Sequence, residues 1–239
     1  MKVPTGLIRD LIYPKKCAIC DDVLPTGERV GICPKCRHYL KYITGPVCLK
    51  CGKEIISEEE EYCIDCARSE KSFERGFPLL HYISPVRESI ARMKYEARQE
   101  YAEFYGRELG RAFGHELRRI GGAVLIPVPV ASARLRKRGY NQAELLAESL
   151  RKETGIPIDT KTLIRRIDTL PQKKLGNEDR IKNLLKAFAV KEGAVVPKTV
   201  ILVDDIYTTG STIEACTRVL KEAGAERVYY TAVAIGSGR

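Results

Sequence analysis

Hydrophobic and polar positions follow two different periods along the last two thirds of the chain. Short apolar runs predict strands over 77–83, 123–129, 162–165, 199–203 and 227–235. Longer amphipathic stretches predict helices over 86–95, 100–120, 141–154 and 211–223. Ser84 and Pro85 suit the start of the first helix, because serine can cap free amides and proline suits the first helical position. Strands that alternate with helices predict an α/β fold with a parallel sheet.

The first 66 residues carry a different signal, which is four Cys-x-x-Cys pairs. The pairs are Cys17/Cys20, Cys33/Cys36, Cys48/Cys51 and Cys63/Cys66. Two residues between thiolates let both sulfurs face one ion, and a second pair about a dozen residues away completes a tetrahedral site. The spacing predicts two structural zinc ions and leaves open which pairs share an ion. A disulfide framework needs an oxidising compartment, and redox catalysis usually needs a single pair, so both alternatives fit less well.

These patterns divide the chain into three parts and limit its location. We expect a double zinc ribbon over 1–67, a polar linker over 68–76 and an α/β domain over 77–239. The formal charge of +10 suits a polyanionic partner without requiring one. No apolar run approaches the roughly 20 residues of a membrane-spanning helix. We therefore expect a cytoplasmic protein, and leave open peripheral contact with the inner face of the membrane.

The apolar strand 199–203 leads into residues that can recognise a sugar phosphate. Asp204 and Asp205 follow it directly, and carboxylates there can accept hydrogen bonds from ribose hydroxyls and help to hold a hydrated Mg²⁺. The hydroxyl-rich run after them opens a helix, whose free amides favour a phosphate, and Gly210 lets the backbone approach it closely. A purely structural alternative is that Ser211 and Glu214 form a capping box.

This segment resembles the signature with which type I phosphoribosyltransferases bind phosphoribosyl pyrophosphate (PRPP). The resemblance implies that Asp204 and Asp205 contact the ribose and are the candidate catalytic residues, and that 208–212 hold the 5-phosphate. The candidate PRPP-binding residues are Asp204, Asp205, Tyr207, Thr208, Thr209, Gly210, Ser211 and Thr212. Cys216, in the helix that follows, is most simply a small core residue.

Two polar regions upstream supply further candidates. The basic ones are Lys94, Arg134, Arg136, Lys137 and Arg138, four of them in a predicted loop. They can neutralise the pyrophosphate of PRPP or contact a nucleic-acid backbone, and a solvated charged face is the alternative. In phosphoribosyltransferases the loop that corresponds to 166–183 closes over PRPP. The lid candidates are Gln172, Lys173, Lys174, Arg180 and Asn183.

Taken together, the cysteine pairs, Lys94 with Tyr95, the block from Arg136 to Gln142, the lid pattern and the PRPP signature resemble the competence protein F (ComF) family. The resemblance implies a zinc ribbon joined to a type I phosphoribosyltransferase fold, PRPP with Mg²⁺ as ligand, and handling of incoming single-stranded DNA in natural transformation. Proteins of the competence machinery would then be partners.

An active Mg²⁺-dependent phosphoribosyltransferase of nucleotide metabolism or salvage is the alternative function, and whether any reaction is catalysed stays open. The chain ends soon after the strand 227–235, so the segment before Ala123 is the candidate for a hood that recognises an acceptor.

Overall fold

The computed structural model describes residues 14–25, 31–166 and 183–236. Its strands are β1 (Gly76–His81), β2 (Ala123–Pro127), β3 (Leu163–Arg165), β4 (Phe188–Val190), β5 (Thr199–Tyr207) and β6 (Arg227–Ile235). Four of them form a parallel sheet in the order β1-β6-β5-β2, and β3 pairs antiparallel with β4. The predicted α/β fold with a parallel sheet is confirmed.

Helices cover both faces of this sheet. They include α1 (Ile64–Arg68), α2 (Val86–Tyr95), α3 (Glu100–Arg119), α4 (Ser132–Arg138), α5 (Gln142–Thr154) and α6 (Ser211–Glu222), with a 3-10 helix over Pro34–Tyr39, and the described residues 183–187 are also helical. Buried residues of α2, α3 and α5 form one core with the sheet, and those of α6 form a second core on the other face. Within the described stretches, none of the helices combines the length and apolar content that a bilayer crossing needs.

Most predicted elements are present, with three corrections. β5 continues to Tyr207, so the two aspartates lie inside the strand and not after it. The basic residues 132–138 form the helix α4 where we predicted a loop, because this run consists largely of strong helix formers and ends at Gly139 in the left-handed conformation (φ 84°). Ser84 does not cap α2, because Pro85, which has no side-chain hydrogen-bonding group, occupies the cap position.

Two glycines allow α3 and α5 to approach closely. A Cβ at Gly106 would lie 2.4 Å from the Cβ of Ser149, and one at Gly110 would lie 2.4 Å from the Cβ of Glu153. Since these glycines are four residues apart, they face the same neighbour. The Ser149 hydroxyl donates to the Glu103 carbonyl at 2.9 Å and closes the contact. This tight pair holds one wall of the larger core in place.

The two cysteine-rich modules dock on opposite faces of the sheet, and each belongs to a different core. The first docks on α3 and the loop before it through Asp21, whose carboxylate accepts from Arg98 at 2.9 Å and from the Tyr101 hydroxyl, and on α2 through the Ile19 carbonyl, which accepts from Arg92. Residues 41–43 connect the first module to the second and run antiparallel to β1. The Ile43 amide donates to the Leu79 carbonyl at 3.1 Å. Because this segment covers the outer edge of β1, that edge is not left unpaired.

The segment that we predicted as a polar linker packs against the α/β core. Phe73 is fully buried, and the Glu74 amide donates to the Val228 carbonyl at 2.7 Å. The Ser72 amide and hydroxyl donate to the two oxygens of Glu214 at 2.8 and 2.7 Å. The capping-box alternative is therefore wrong, because Glu214 is bound by Ser72 and Gly210 occupies the cap position of α6.

Candidate functional site

The eight N-terminal cysteines form two clusters with the geometry of a tetrahedral metal site. One consists of Cys17, Cys20, Cys33 and Cys36, and the other of Cys48, Cys51, Cys63 and Cys66, with the four sulfurs of each within 4.8 Å of one another. The Sγ atoms of Cys20 and Cys33 lie 3.9 Å apart, and those of Cys51 and Cys63 lie 3.6 Å apart. Four sulfurs at about 2.3 Å from zinc would be roughly 3.8 Å apart. Neighbouring pairs thus share a site, and the clusters fit zinc.

Backbone amides complete these knuckles. The amides of Ile19 and Cys33 point to Cys17 Sγ at 3.5 and 3.4 Å, and the amide of Cys51 points to Cys48 Sγ at 3.5 Å. Such hydrogen bonds stabilise thiolates and orient them as metal ligands. None of the cysteines is in a disulfide.

The paired aspartates lie at the carboxyl end of β5 in different surroundings. Asp205 is buried, and its Oδ1 accepts an ion pair from Lys94 at 2.7 Å. Its Oδ2 is also buried and has no hydrogen-bond partner among the described residues. Asp204 is partly exposed, and its Oδ1 accepts from the Asp205 amide at 2.8 Å. A buried carboxylate oxygen without a donor marks a place where a ligand or cation can bind.

The close pair of carboxylates changes the acidity of its members. Burial, and then the charge of Asp205, raise the pKa of Asp204 from 3.8 to about 7, although Lys94 opposes the change. Burial alone would lower the pKa of Lys94, but the charge of Asp205 and its hydrogen bond outweigh burial and raise it. Lys94 therefore stays a cation at neutral pH beside the carboxylates.

The loop after β5 presents hydroxyl groups at the start of α6. Thr208 and Thr209 are exposed, and the hydroxyls of Thr209 and Ser211 lie 2.8 Å apart. Gly210 adopts the left-handed conformation with φ 76°, and no side chain caps the helix. A Cβ at Gly210 would also lie 2.2 Å from the Tyr207 hydroxyl, so only glycine fits there.

The ring of Tyr207 faces the core and not the loop surface. It stacks on Tyr230 with ring centres 4.7 Å apart and meets the edge of Phe73 at 6.3 Å. Sequence analysis placed Tyr207 among the ligand-binding residues, but its side chain supports the loop from beneath, because it is bulky and apolar enough for burial at the end of the strand. Cys216 is fully buried in the same core, as predicted.

The block from Arg136 to Gln142 contributes to the site through Tyr140 and Asn141. Tyr140 is buried, and its hydroxyl donates to the Met93 carbonyl next to Lys94. Asn141 caps α5, with its side chain accepting from the Ala143 amide and donating to the Val128 carbonyl, both at 3.1 Å. These bonds hold the end of α2, and hence Lys94, against the carboxyl end of the sheet.

The basic residues of α4 do not enter this pocket as a group. Arg134, Arg136 and Lys137 are exposed on the helix surface. Arg138 donates to Gln142 and lies over the ring of Tyr95 at 5.5 Å. Lys94 is thus the basic candidate that the structure brings to the aspartates, while α4 forms a separate cationic surface at the same edge of the sheet.

Comparisons with known proteins agree with this architecture. A double zinc ribbon domain model matches residues 8–67, and a phosphoribosyl transferase domain model matches residues 134–237. The chain is 32% identical to competence protein F of Haemophilus influenzae over 221 residues, which cover 89% of this chain and 93% of that protein. The chain belongs to the competence protein F family.

Other ComF relatives match over a similar extent. Competence protein ComFC of Bacillus subtilis is 29% identical, covering 89% of this chain and 91% of its own. DNA utilization protein YhgH of Escherichia coli K12 is 28% identical, covering 91% and 96%. This ComF chain therefore has a double zinc ribbon and a phosphoribosyltransferase-like domain, as the sequence motifs indicated.

Sequence reasoning missed several contacts that build the ComF site. The contacts of Ser72 with Glu214 and of Tyr140 with Met93 join distant parts of the chain, and no local pattern signals them. Lys94 was singled out by resemblance alone, and only the fold brings it to Asp205. The lid candidates Gln172, Lys173, Lys174 and Arg180 lie outside the described residues, and Asn183 is helical together with the described residues that follow it up to 187.

Proposed function

We propose that this protein binds PRPP together with Mg²⁺ at the carboxyl end of β5, and that it handles single-stranded DNA in natural transformation. The observation that carries the first part is Asp205, whose Oδ2 is buried without a partner among the described residues, beside an uncapped helix start. A ribose hydroxyl would supply the missing donor, and a hydrated cation would be an alternative partner for the same oxygen.

The loop supports the phosphate end of the same ligand. Exposed hydroxyls of Thr208 and Thr209 and the first amides of α6 are donors that suit a dianionic phosphate. Gly210 allows the backbone to come within contact distance of the phosphate oxygens. The loop begins three residues after Asp205 in the chain, so one ribose 5-phosphate can reach both groups.

Charge balance at the ribose end is supplied by Lys94. Its ammonium pairs with Asp205 at 2.7 Å and can also attract the pyrophosphate of PRPP. Mg²⁺, when bound, would neutralise further pyrophosphate charge, and Asp204 and Asp205 are the carboxylates able to hold its waters. Arg134, Arg136 and Lys137 lie exposed on α4 and are better suited to a larger polyanion.

The DNA part of the proposal rests on the family and on this cationic surface. Relatives are named for competence and for DNA utilization. Between residues 130 and 182 there are thirteen Lys and Arg against seven Asp and Glu, so positive charge is concentrated after β2. A single strand binds such surfaces through its phosphates.

Transfer of the ribose 5-phosphate to an acceptor is the second candidate function. It is favoured by a small pocket at the neighbouring ends of β1 and β6, where an acceptor could lie. Asp204, Asp205 and Lys94 would then position PRPP while pyrophosphate departs, and positioning with charge stabilisation would supply most of the catalysis.

Calorimetry with PRPP and Mg²⁺ tests the pocket. We expect Asp205→Asn to weaken PRPP binding by about 10- to 150-fold, the value of a hydrogen bond to a charged group. Since this variant leaves Lys94 unpaired and can destabilise the fold, Thr208→Val, which removes only an exposed hydroxyl, should weaken binding severalfold in a folded protein. Glu226→Gln, exposed before β6 at the opposite edge of the sheet, is the matched control. The proposal fails if wild-type protein gives no binding heat.

A further inference from the structure

The second ribbon leaves apolar side chains exposed around its metal site. Leu49 and Ile64 each follow the first cysteine of a pair, and they are 48% and 65% exposed. The Leu49 amide donates to the Glu61 carbonyl at 2.8 Å, which brings the two cysteine pairs side by side, and Tyr62 is 45% exposed next to Glu61. We call Leu49, Tyr62 and Ile64 the knuckle patch. Three large apolar side chains exposed on so small a module indicate a surface that another molecule covers.

The first ribbon shows what residues between paired cysteines can do. Ala18 and Ile19 lie between its first two cysteines, and both are buried. Ile19 packs in the larger core, and its carbonyl accepts from Arg92 of α2. The second ribbon instead contacts the sheet through the Cys51 carbonyl, which accepts from the Tyr230 hydroxyl at 2.7 Å. Its knuckle patch belongs to neither core of the described residues, so the patch does not hold the ribbon in place.

An acidic run borders the knuckle patch. Glu58, Glu59, Glu60 and Glu61 directly precede Tyr62, and all four are exposed. None of them forms an ion pair with a residue that the structure describes. The run is opposite in sign to the net charge of +10 on the chain. The molecule that covers the patch should therefore present apolar side chains flanked by cations.

The helix α4 and the neighbouring Tyr95 form a surface of this composition. Leu135 and Tyr95 are 42% and 74% exposed, and Arg138 lies over the Tyr95 ring at 5.5 Å. Since Leu135 and Arg138 are three residues apart on α4, they lie on the same face of the helix. The exposed cations beside them have no ion pair with any described carboxylate, and they are Arg134, Arg136 and Lys137. We call α4 together with Tyr95 the α4 surface.

The knuckle patch and the α4 surface lie on different sides of one chain. β1 and β2 are the two edge strands of the four-stranded sheet, roughly 14 Å apart at the usual strand spacing. The second ribbon contacts β1, where a Cβ at Gly52 would lie 2.5 Å from the Pro78 ring, whereas α4 follows β2. A second copy of the chain can therefore offer each surface its complement.

We propose that the second ribbon of one copy docks on the α4 surface of a second copy. The knuckle patch would pack against Leu135 and Tyr95, while the glutamates 58–61 face the cations of α4. The contact joins two different surfaces, so each added copy brings one free ribbon and one free α4 surface. Association should therefore continue beyond a pair as the protein concentration rises. The inference goes beyond the proposed function and depends on neither PRPP nor DNA.

Sedimentation velocity of the zinc-loaded full chain tests this contact. PRPP and DNA are left out, because DNA would compete for α4. We expect the average mass at low salt to rise from one chain to several as the protein concentration increases. Higher salt should return the protein towards a single chain, because it screens the charges around the contact. A wild type that stays a single chain at every concentration in low salt overturns the proposal.

Changes in the knuckle patch test the first surface. Leu49→Ser/Ile64→Ser should weaken the association about tenfold or more, because it removes two apolar side chains from the centre of the contact. Both residues are exposed, so the metal site should be retained, and zinc analysis must show two ions per chain. Val23→Ser/Val195→Ser is the matched control, since these valines are 59% and 88% exposed outside both surfaces. Equal association of this control and the knuckle variant would contradict the proposal.

Loss of charge on α4 tests the second surface. Arg134→Ala/Arg136→Ala/Lys137→Ala should weaken the association and its dependence on salt. Arg118→Ala/Arg119→Ala/Lys152→Ala removes the same charge from exposed positions at the ends of α3 and α5 and should have a much smaller effect. If the two triple variants associate equally, α4 is not the partner of the ribbon.

A mixture of the two defective variants gives the sharpest test. The knuckle variant keeps its α4 surface and the α4 variant keeps its knuckle patch, so the mixture can form one intact contact. We expect pairs with one copy of each variant, and no larger species, at concentrations where each variant alone is a single chain. The proposal is overturned if no pairs form in the mixture, even when each variant alone has lost its association.

Discussion

Asp204 and Asp205 are neighbours in the chain, yet the protein treats them differently. Lys94 forms an ion pair with Asp205 at 2.7 Å. Among the described residues, no cation forms an ion pair with Asp204. Burial and repulsion between the two carboxylates at this strand end therefore act mainly on Asp204, and raise its pKa to about 7. Ionised Asp204 thus lowers the stability of the folded chain at a position where a ligand can bind.

This difference predicts a pH dependence of stability in the absence of Mg²⁺ and PRPP. Because the pKa of Asp204 is higher in the folded chain (about 7) than its ordinary value of 3.8, its stabilising contribution is complete below about pH 4 and is lost as the pH rises through 7. The full difference would be worth about 4 kcal/mol, and partial exposure reduces the expected loss to about 1 to 2 kcal/mol.

Asp204→Asn should remove this dependence. In urea unfolding between pH 5.5 and 8.5, we expect the variant to gain stability over the wild type as the pH rises. Asp22→Asn, on the exposed surface of the first ribbon, provides the comparison for a carboxylate outside the site. A difference between Asp204→Asn and wild type that does not vary with pH would contradict the prediction.

At the scale of elements, the local pattern was sufficient to place the helices and strands of the core. Val200 to Val203 are fully buried, and their composition alone predicts a strand. The pattern placed the end of β5 too early, because Asp204 and Asp205 are polar and a strand interior is expected to be apolar. Their pairing in the sheet and the Lys94 contact override that preference.

Contacts between distant elements could not be predicted in this way. The polar residues 68–76 have the composition of a linker, but Phe73 and Ser72 find partners on β6 and α6 that lie more than 140 residues away in the chain. Likewise, the four Cys-x-x-Cys pairs predicted zinc, while the sharing of each site by neighbouring pairs needed three-dimensional positions. The residue types were thus sufficient to predict zinc binding, whereas the contacts between distant residues depend on the topology of the fold.

One such contact connects the second ribbon to the phosphate loop. The Tyr230 hydroxyl donates to the Cys51 carbonyl at 2.7 Å, Tyr230 stacks on Tyr207, and Tyr207 lies against Gly210. The loop therefore rests on aromatic rings that the second metal site helps to hold. The first ribbon contacts α2 through Arg92 and Ile19 and lies on the other face of the sheet from this stack.

Removing each metal site separately tests this connection. Cys63→Ser/Cys66→Ser should lower PRPP affinity by about tenfold or more. Loss of the metal site weakens the packing of Tyr230 and Tyr207 beneath Gly210, and we expect this to cost about as much binding free energy as one or two hydrogen bonds. Cys17→Ser/Cys20→Ser should have a smaller effect, since Tyr140 anchors Lys94 independently. Metal analysis must show that each variant has lost one zinc per chain. An equal fall in PRPP affinity in the two variants would argue against a specific connection.

At the scale of the whole molecule, the two ribbons lie on opposite faces of one sheet, and the segment between them covers the edge of β1. The other edge strand of the sheet is β2, and α4 follows it at the carboxyl edge. The exposed cations Arg134, Arg136 and Lys137 lie there, close to the proposed PRPP site. Part of the net charge of +10 is therefore concentrated on α4, at the edge of the sheet where ligands bind.

That placement predicts a salt-dependent interaction of α4 with single-stranded DNA. Arg134→Ala/Arg136→Ala/Lys137→Ala should weaken binding and reduce the slope of log affinity against log salt by about 2, roughly 0.7 for each phosphate that is no longer neutralised. Arg118→Ala/Arg119→Ala/Lys152→Ala removes the same charge from exposed positions at the far ends of α3 and α5 and should leave the slope nearly unchanged. Fluorescence anisotropy with a labelled oligonucleotide at several salt concentrations measures both. If affinity and slope fall equally in the two triple variants, net charge alone accounts for binding, and α4 is not where the DNA binds.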